Sequence, residues 1–133
     1  MNEQVKSIIA NGCIITLTSL LMLLAGTWWR MSSQFTQGEA AFSRGDFTGA
    51  VAGYESALHM YIPFHPTIEK AAGRLWQIGE ANERFGDVDR ALIAYRSLRS
   101  SFYAGHWLAT PGTVWIERCD KRITALTPRQ QGR

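Results

Sequence analysis

Side chains that carry chemistry are scarce in this chain of 133 residues. Two cysteines, Cys13 and Cys119, are too few for a disulfide scaffold or a four-cysteine zinc ribbon. Three histidines stand apart at positions 59, 65 and 106, which leaves little from which to assemble a metal site. There is no glycine-rich phosphate loop, no nucleophile elbow, no HExxH and no paired-cysteine metal motif. The carboxylates are spread along the chain, with no two that spacing alone brings together. These absences point away from catalysis, and no metal, cofactor or small-molecule substrate is expected.

The longest absence is of charge. From Ile8 to Trp29, 22 consecutive positions hold no charged residue. A helix of that length reaches about 33 Å, enough for the ~30 Å hydrocarbon core of a bilayer. Trp28, Trp29 and Arg30 close the run with rings and a charge that suit a headgroup boundary. The competing reading is a cleaved secretory signal, with Lys6 in its basic region and Ile14 to Leu24 as its apolar part. Against cleavage, Ala25-Gly26-Thr27 matches the small-x-small pattern poorly, and two tryptophans follow at once. Cys13 precedes the Ile14–Leu24 segment, where a lipoprotein cysteine would follow it.

Within the run, Gly12, Thr16, Ser19 and Gly26 fall along one side of a helix, with Leu23 filling the gap and Asn11 at the edge. Small and hydroxylated residues let a second membrane helix approach closely, and a polar group in hydrocarbon favours a partner that bonds it. The plainer account is that such residues are common in membrane helices and bond back to their own carbonyls. Short-range positive charge is nearly balanced across the run. Lys6 on the short tail favours a cytoplasmic amino terminus, with the C-terminal domain outside the cytoplasm of a bacterial inner membrane. The expected organisation is a tail over 1–7, a membrane helix over 8–29 and a helical domain from 31 onward.

That domain is nearly neutral. Setting aside Lys6, Arg30 and Glu3 leaves 12 basic and 10 acidic residues over 31–133, interleaved in sign. Such a balance reads as a solvated surface and not as a nucleic-acid footprint.

The domain repeats itself. GDFTGAVAGYESAL from Gly45 and GDVDRALIAYRSLR from Gly86 share Gly-Asp, then Ala50 and Ala91, then Tyr54 and Tyr95 in register. Gly38 and Gly79 each stand seven residues earlier. Ala50, Val51, Tyr54, Ala57, Leu58 and Tyr61 form an apolar stripe at helical spacing, as do Ala91, Leu92, Tyr95, Leu98 and Phe102. Each glycine suits a left-handed helix end, and each following aspartate suits the next N-cap. The units therefore read as two helical hairpins, over 31–63 and 67–103.

This pattern resembles the tetratricopeptide repeat, on the small residues Gly38 and Gly79, the turns at Gly45 and Gly86, and Ala50, Tyr54, Ala57, Ala91 and Tyr95. Leu98 departs from the family's alanine, and Gln34 and Leu75 stand where Trp is common. The Gly-to-Gly interval of 41 is seven longer than the family's 34-residue period, the excess lying around Ile62-Pro63-Phe64-His65-Pro66. Thr67 is the expected cap of the next helix, ending at Phe85, and His65 is expected to be an exposed loop residue. The resemblance implies a protein-binding groove along the first helix of each hairpin, lined by Phe35, Glu39, Phe42, Trp76, Glu80 and Glu83. It lacks the Lys/Asn set with which chaperone-binding members clamp a terminal carboxylate.

Residues 104–127 read as a loop and a capping helix, with Thr110 as cap, Pro111 at the first helical position and Pro128 as terminator. Trp107 and Trp115 are expected to staple this helix to the core, with 128–133 a flexible tail. The fold class is all-α: one transmembrane helix, two tetratricopeptide-like hairpins and a C-terminal capping helix. The implied partners are the lipid bilayer and other membrane-protein subunits. The expected role is an accessory or scaffold subunit. The alternatives are a stand-alone tethered recruiter, or a secreted adaptor after signal cleavage.

Overall fold

The computed structural model describes residues 2–105 and 112–132. Five helices follow in order: α1 (Glu3–Ser43), α2 (Phe47–His59), α3 (Pro66–Arg84), α4 (Val88–Ala104) and α5 (Thr113–Gln131). No strand occurs among the described residues.

Helix α1 has 41 residues, about 60 Å at the usual rise. Its apolar first part is exposed, and burial begins only at Met31, Gly38 and Ala41. Ser32 and Ser33 do not interrupt it. Their weak helix propensity costs about 0.5 kcal/mol each, which packing around Met31 and Phe35 outweighs. The apolar run and the first helix of the domain are therefore one continuous rod.

The two Gly-Asp turns are built alike. Gly45 and Gly86 take φ of 73° and 78°. Around the first, the Gly45 and Asp46 amides donate to the carbonyls of Phe42 and Ala41 at 3.0 and 2.9 Å. Around the second, Gly86 and Asp87 donate to Glu83 and Asn82 at 3.1 and 2.9 Å. This paired closure satisfies the last carbonyls of a helix and requires a left-handed residue. Each aspartate then caps the next helix: Asp46 accepts from the Gly49 amide and Asp87 from the Arg90 amide.

Helix α1 packs on α2, α3 on α4, and α5 on α4, with α2 joining the two halves. The core holds Ala50, Val51, Tyr54, Ala57 and Leu58 from α2, and Ala91, Leu92, Tyr95, Leu98 and Phe102 from α4. Tyr61 lies beyond the end of α2 at His59 and is only partly buried. Helices α1 and α2 cross at glycine: a methyl group on Gly53 would lie 2.6 Å from the Gly38 Cα.

Three expectations about helix ends are corrected. His65, not Thr67, caps α3, its Nδ1 accepting from the Thr67 amide at 3.2 Å. Pro66 takes the first helical position, where a missing N–H and a preset φ are favourable, and this pushes the cap back to His65. Helix α3 ends at Arg84, with Phe85 as its C-cap. Pro128 does not terminate α5, which continues to Gln131. The last turn is held from outside by Gln130 donating to Asp89 of α4 at 2.8 Å, while within α5 Thr127 Oγ1 donates to the Ile123 carbonyl. Helix α5 starts at Thr113, preceded by Gly112 at φ 70°. Trp107, Thr110 and Pro111 lie outside the described residues.

Candidate functional site

Two surfaces stand open: the exposed apolar part of α1, long and apolar enough to cross a membrane, and the face shared by α1, α3 and α5. Along the apolar part, Asn11, Gly12, Thr16, Ser19 and Gly26 are all exposed. A methyl group at Gly12 or Gly26 would meet nothing within 4 Å. Thr16 Oγ1 donates to the Gly12 carbonyl at 2.8 Å, and Thr18 and Thr27 bond back in the same way to Ile14 and Leu23. The threonine hydroxyls are thus satisfied within the helix. The strip presents two notches at glycine, with Asn11 adjoining one of them. Beyond it, Trp29 is 79% exposed, while Trp28 meets the His65 ring edge-on at 5.7 Å between centroids.

On the second surface, the six groove candidates have separate roles. Phe35 packs on Tyr54 at 5.6 Å and Trp76 on Tyr95 at 5.0 Å, equivalent pairs 41 residues apart. Both rings are therefore partly buried against the core rather than presented freely. Trp76 also meets Trp115 of α5 at 6.1 Å, and Arg118 lies over both indoles. Phe42 remains 46% exposed beneath the Arg74 guanidinium.

Two of the three acidic candidates, Glu39 and Glu83, anchor the buried tyrosines. Tyr54 donates its hydroxyl to Glu39 at 2.7 Å, and Arg74 grips the same carboxylate through Nε and Nη2 at 2.7 and 3.0 Å. Burial opposes charge on Glu39, but the bonds from Tyr54 and Arg74 outweigh it and hold its pKa below the usual value. The pKa of Arg74 rises in return, chiefly through its bond to Glu39. In the second unit Glu80 occupies the position of Glu39, yet Tyr95 donates to Glu83 at 3.1 Å, one turn on. Arg122 of α5 draws Glu83 into this arrangement at 3.2 Å. Glu80 is left lining a cleft of about 450 Å³ with Glu83, Arg84, Arg122 and Arg129.

No family profile, curated protein or solved structure matches this chain. The functional argument rests on the geometry. Helix α5 reaches across to α3 through Trp115, Arg118 and Arg122, so its side chains cover the α3 part, around Trp76 and Glu83, of the face that the repeat resemblance would leave open for a ligand. The more open part of the six-residue set is Phe42 and its neighbours. A smaller cleft of about 190 Å³ lies there, between Phe42, Phe47, Ile78, Ala81, Asn82 and Arg90.

Arg74, which grips Glu39 on this face, has no motif or spacing that marks it in the sequence. Its only sequence signal is a positive charge on a helix that also carries carboxylates. Among the described residues, no cluster of three His, Cys, Asp or Glu is placed to hold a metal. Cys119 is buried on α5, and burial pushes its thiol up to about 12. A thiol so protonated is a packing group.

Proposed function

We propose that this chain is a single-pass membrane protein whose tetratricopeptide-like helical domain is an accessory or scaffold subunit of a larger membrane complex. The observation that carries this reading is the continuity of α1. One unbroken helix is exposed and apolar over its first part, then supplies Met31, Gly38 and Ala41 to the domain core. A tether that merely confines a domain to a membrane needs no such join. A rigid rod fixes the height and direction of the domain relative to the bilayer, which is useful when both parts must meet one partner.

The notched strip from Asn11 to Gly26 is the membrane half of that interface, and Phe42 with the adjoining cleft marks the domain half. In this reading the amino terminus is cytoplasmic, and the domain lies on the other side.

The test exchanges residues 8–26 for an unrelated Leu/Ala helix of equal length, keeping Thr27 onward. Mild-detergent purification and mass spectrometry then compare associated subunits at matched expression. Loss of defined partners supports a packed subunit, and retention of all of them supports a passive tether. Intact mass of the mature chain tests removal of the apolar segment.

A further inference from the structure

The excess residues between the two repeat units form the connection from α2 to α3, and the structure puts this connection beside the apolar end of α1. We propose that residues 61–65 are a second lipid-contacting element, with Phe64 inserted into the bilayer interface alongside Trp28. This rests on the reading of α1 as a membrane span and adds a contact to it.

Three observations converge. Phe64 is wholly exposed, at 103% of its reference area, and takes φ 63°, a left-handed conformation that bulky residues rarely adopt. Exposure alone does not select it. Phe85, at the far end of α3, is 88% exposed with an ordinary φ of −80°. At Phe64 the chain turns an apolar ring outward at a backbone cost, which suits a non-aqueous neighbour.

Next, the connection leans on the span. Ile62 and His65 line a cleft of about 330 Å³ with Leu21, Leu24, Ala25 and Trp28. The turn is closed by the His65 amide donating to the Ile62 carbonyl at 3.2 Å. His65 is also the cap of α3, so the turn is tied to the domain as well as to α1.

The third observation is one of height. Leu21 lies eight residues before Trp29, about 12 Å down the helix. A bilayer boundary drawn below Leu21, to keep the connection in water, leaves Ile8 to Leu20 as the span. Those 13 residues cover about 20 Å, short of the ~30 Å core. A span long enough for the bilayer therefore brings the connection to lipid. Phe and Ile suit the boundary between acyl chains and headgroups, and Pro63 in the turn, with Pro66 just after it, lowers the number of backbone donors needing partners there. With one contact on α1 and another at Phe64, the domain is fixed in tilt as well as in height.

The experiment uses the full chain with Phe64→Cys in a Cys13→Ala, Cys119→Ala background, labelled with an environment-sensitive fluorophore. It is reconstituted into phosphatidylcholine–phosphatidylglycerol vesicles, with circular dichroism checking helix content. The expected result is blue-shifted emission, loss of intensity when the lipids carry bromine high on their acyl chains, and protection from iodide on either side. Emission quenched by iodide and untouched by brominated lipid overturns the proposal. Shielding from both quenchers also overturns it, because protein would then cover the site. A parallel label at Cys13, in Cys119→Ala, separates the two readings. If Cys13 is lipid-quenched while position 64 is not, the loop contact alone fails. If iodide reaches Cys13, the span fails, and the loop contact with it.

Discussion

Gly53 of α2 faces Gly38 of α1 so closely that a methyl group on Gly53 would lie 2.6 Å from the Gly38 Cα. Real Cβ atoms do not come so near to backbone, so the two helices must separate if Gly53 gains a side chain. Gly53→Ala gains about 0.5–1 kcal/mol of helix propensity but meets overpacking of about 1–3 kcal/mol. The expected result is a net loss of stability in urea denaturation of the detergent-solubilised chain. Gly73→Ala is the control, since its Cβ meets nothing within 4 Å. It should gain about 0.5–1 kcal/mol from lower unfolded-state entropy.

The paired turns predict matched costs. Asp46→Ala and Asp87→Ala each remove one cap bond to a backbone amide, so each should lower stability by about 1 kcal/mol. Asp46→Asn keeps the acceptor and should recover most of that loss. Equal m-values with shifted midpoints would confirm that the folded state alone is affected. A change in m would count against a simple cap.

The buried tyrosines and Cys119 predict weakness in alkali. Burial, and then Glu39 or Glu83, raises the pKa of Tyr54 and Tyr95 above 10, and burial lifts Cys119 from 9.0 to about 12. A raised folded-state pKa contributes stability that is complete below the unfolded value and lost as pH rises through the folded one. Stability should therefore decline from about pH 9 upward, first through Cys119 and then through the tyrosines. Tyr54→Phe together with Cys119→Ala should flatten that decline in melts between pH 8 and 11, although both changes lower stability at neutral pH.

Glu39 carries the opposite sign. Its lowered pKa contributes stability above the ordinary carboxylate value, and this is lost as pH falls through the folded-state one. Arg74→Met should weaken this acid dependence. Because both side chains are about a third exposed, the coupling measured by a Glu39→Gln/Arg74→Met double-mutant cycle should stay within about 1 kcal/mol. A larger coupling would mean that the pair is more deeply desolvated than its exposure indicates.

The strip on α1 predicts a separation of function from folding. Gly12→Leu and Gly26→Leu fill open notches, so neither should alter the unfolding of the domain. Both should reduce association with partner subunits in mild detergent. Unchanged association would remove the strip from the interface.

Local features were legible where a few neighbouring residues decide them. The repeated Gly-Asp pairs announced both turns, and the stripes from Ala50 to Leu58 and from Ala91 to Phe102 named buried residues correctly. His65 was missed as a cap because Thr67 is the better-known capping side chain. The proline rule was the available signal, since Pro66 prefers the first helical position and so selects the residue before it. Pro128 reads as a stop because a proline lacks one helical bond, yet the bond from Gln130 to Asp89, 41 residues away, holds the last turn. The partly buried state of Phe35 and Trp76 was undecidable in advance, because both lie where a groove face borders a core face.

The chain by itself determined that the fold would be helical, where an uncharged run long enough for a bilayer lies, and how two turns close. Each of these depends on period, composition or the chemistry of four or five consecutive residues. Only the tertiary structure decided that Gly53 meets Gly38, that Tyr95 chooses Glu83 over Glu80, that α5 covers Trp76, and that the turn at Phe64 lies against Leu21 and Trp28. Those outcomes depend on where whole helices cross and how far they slide along one another. A shift of one turn, about 5.4 Å, would exchange every partner while leaving the hydrophobic pattern unchanged.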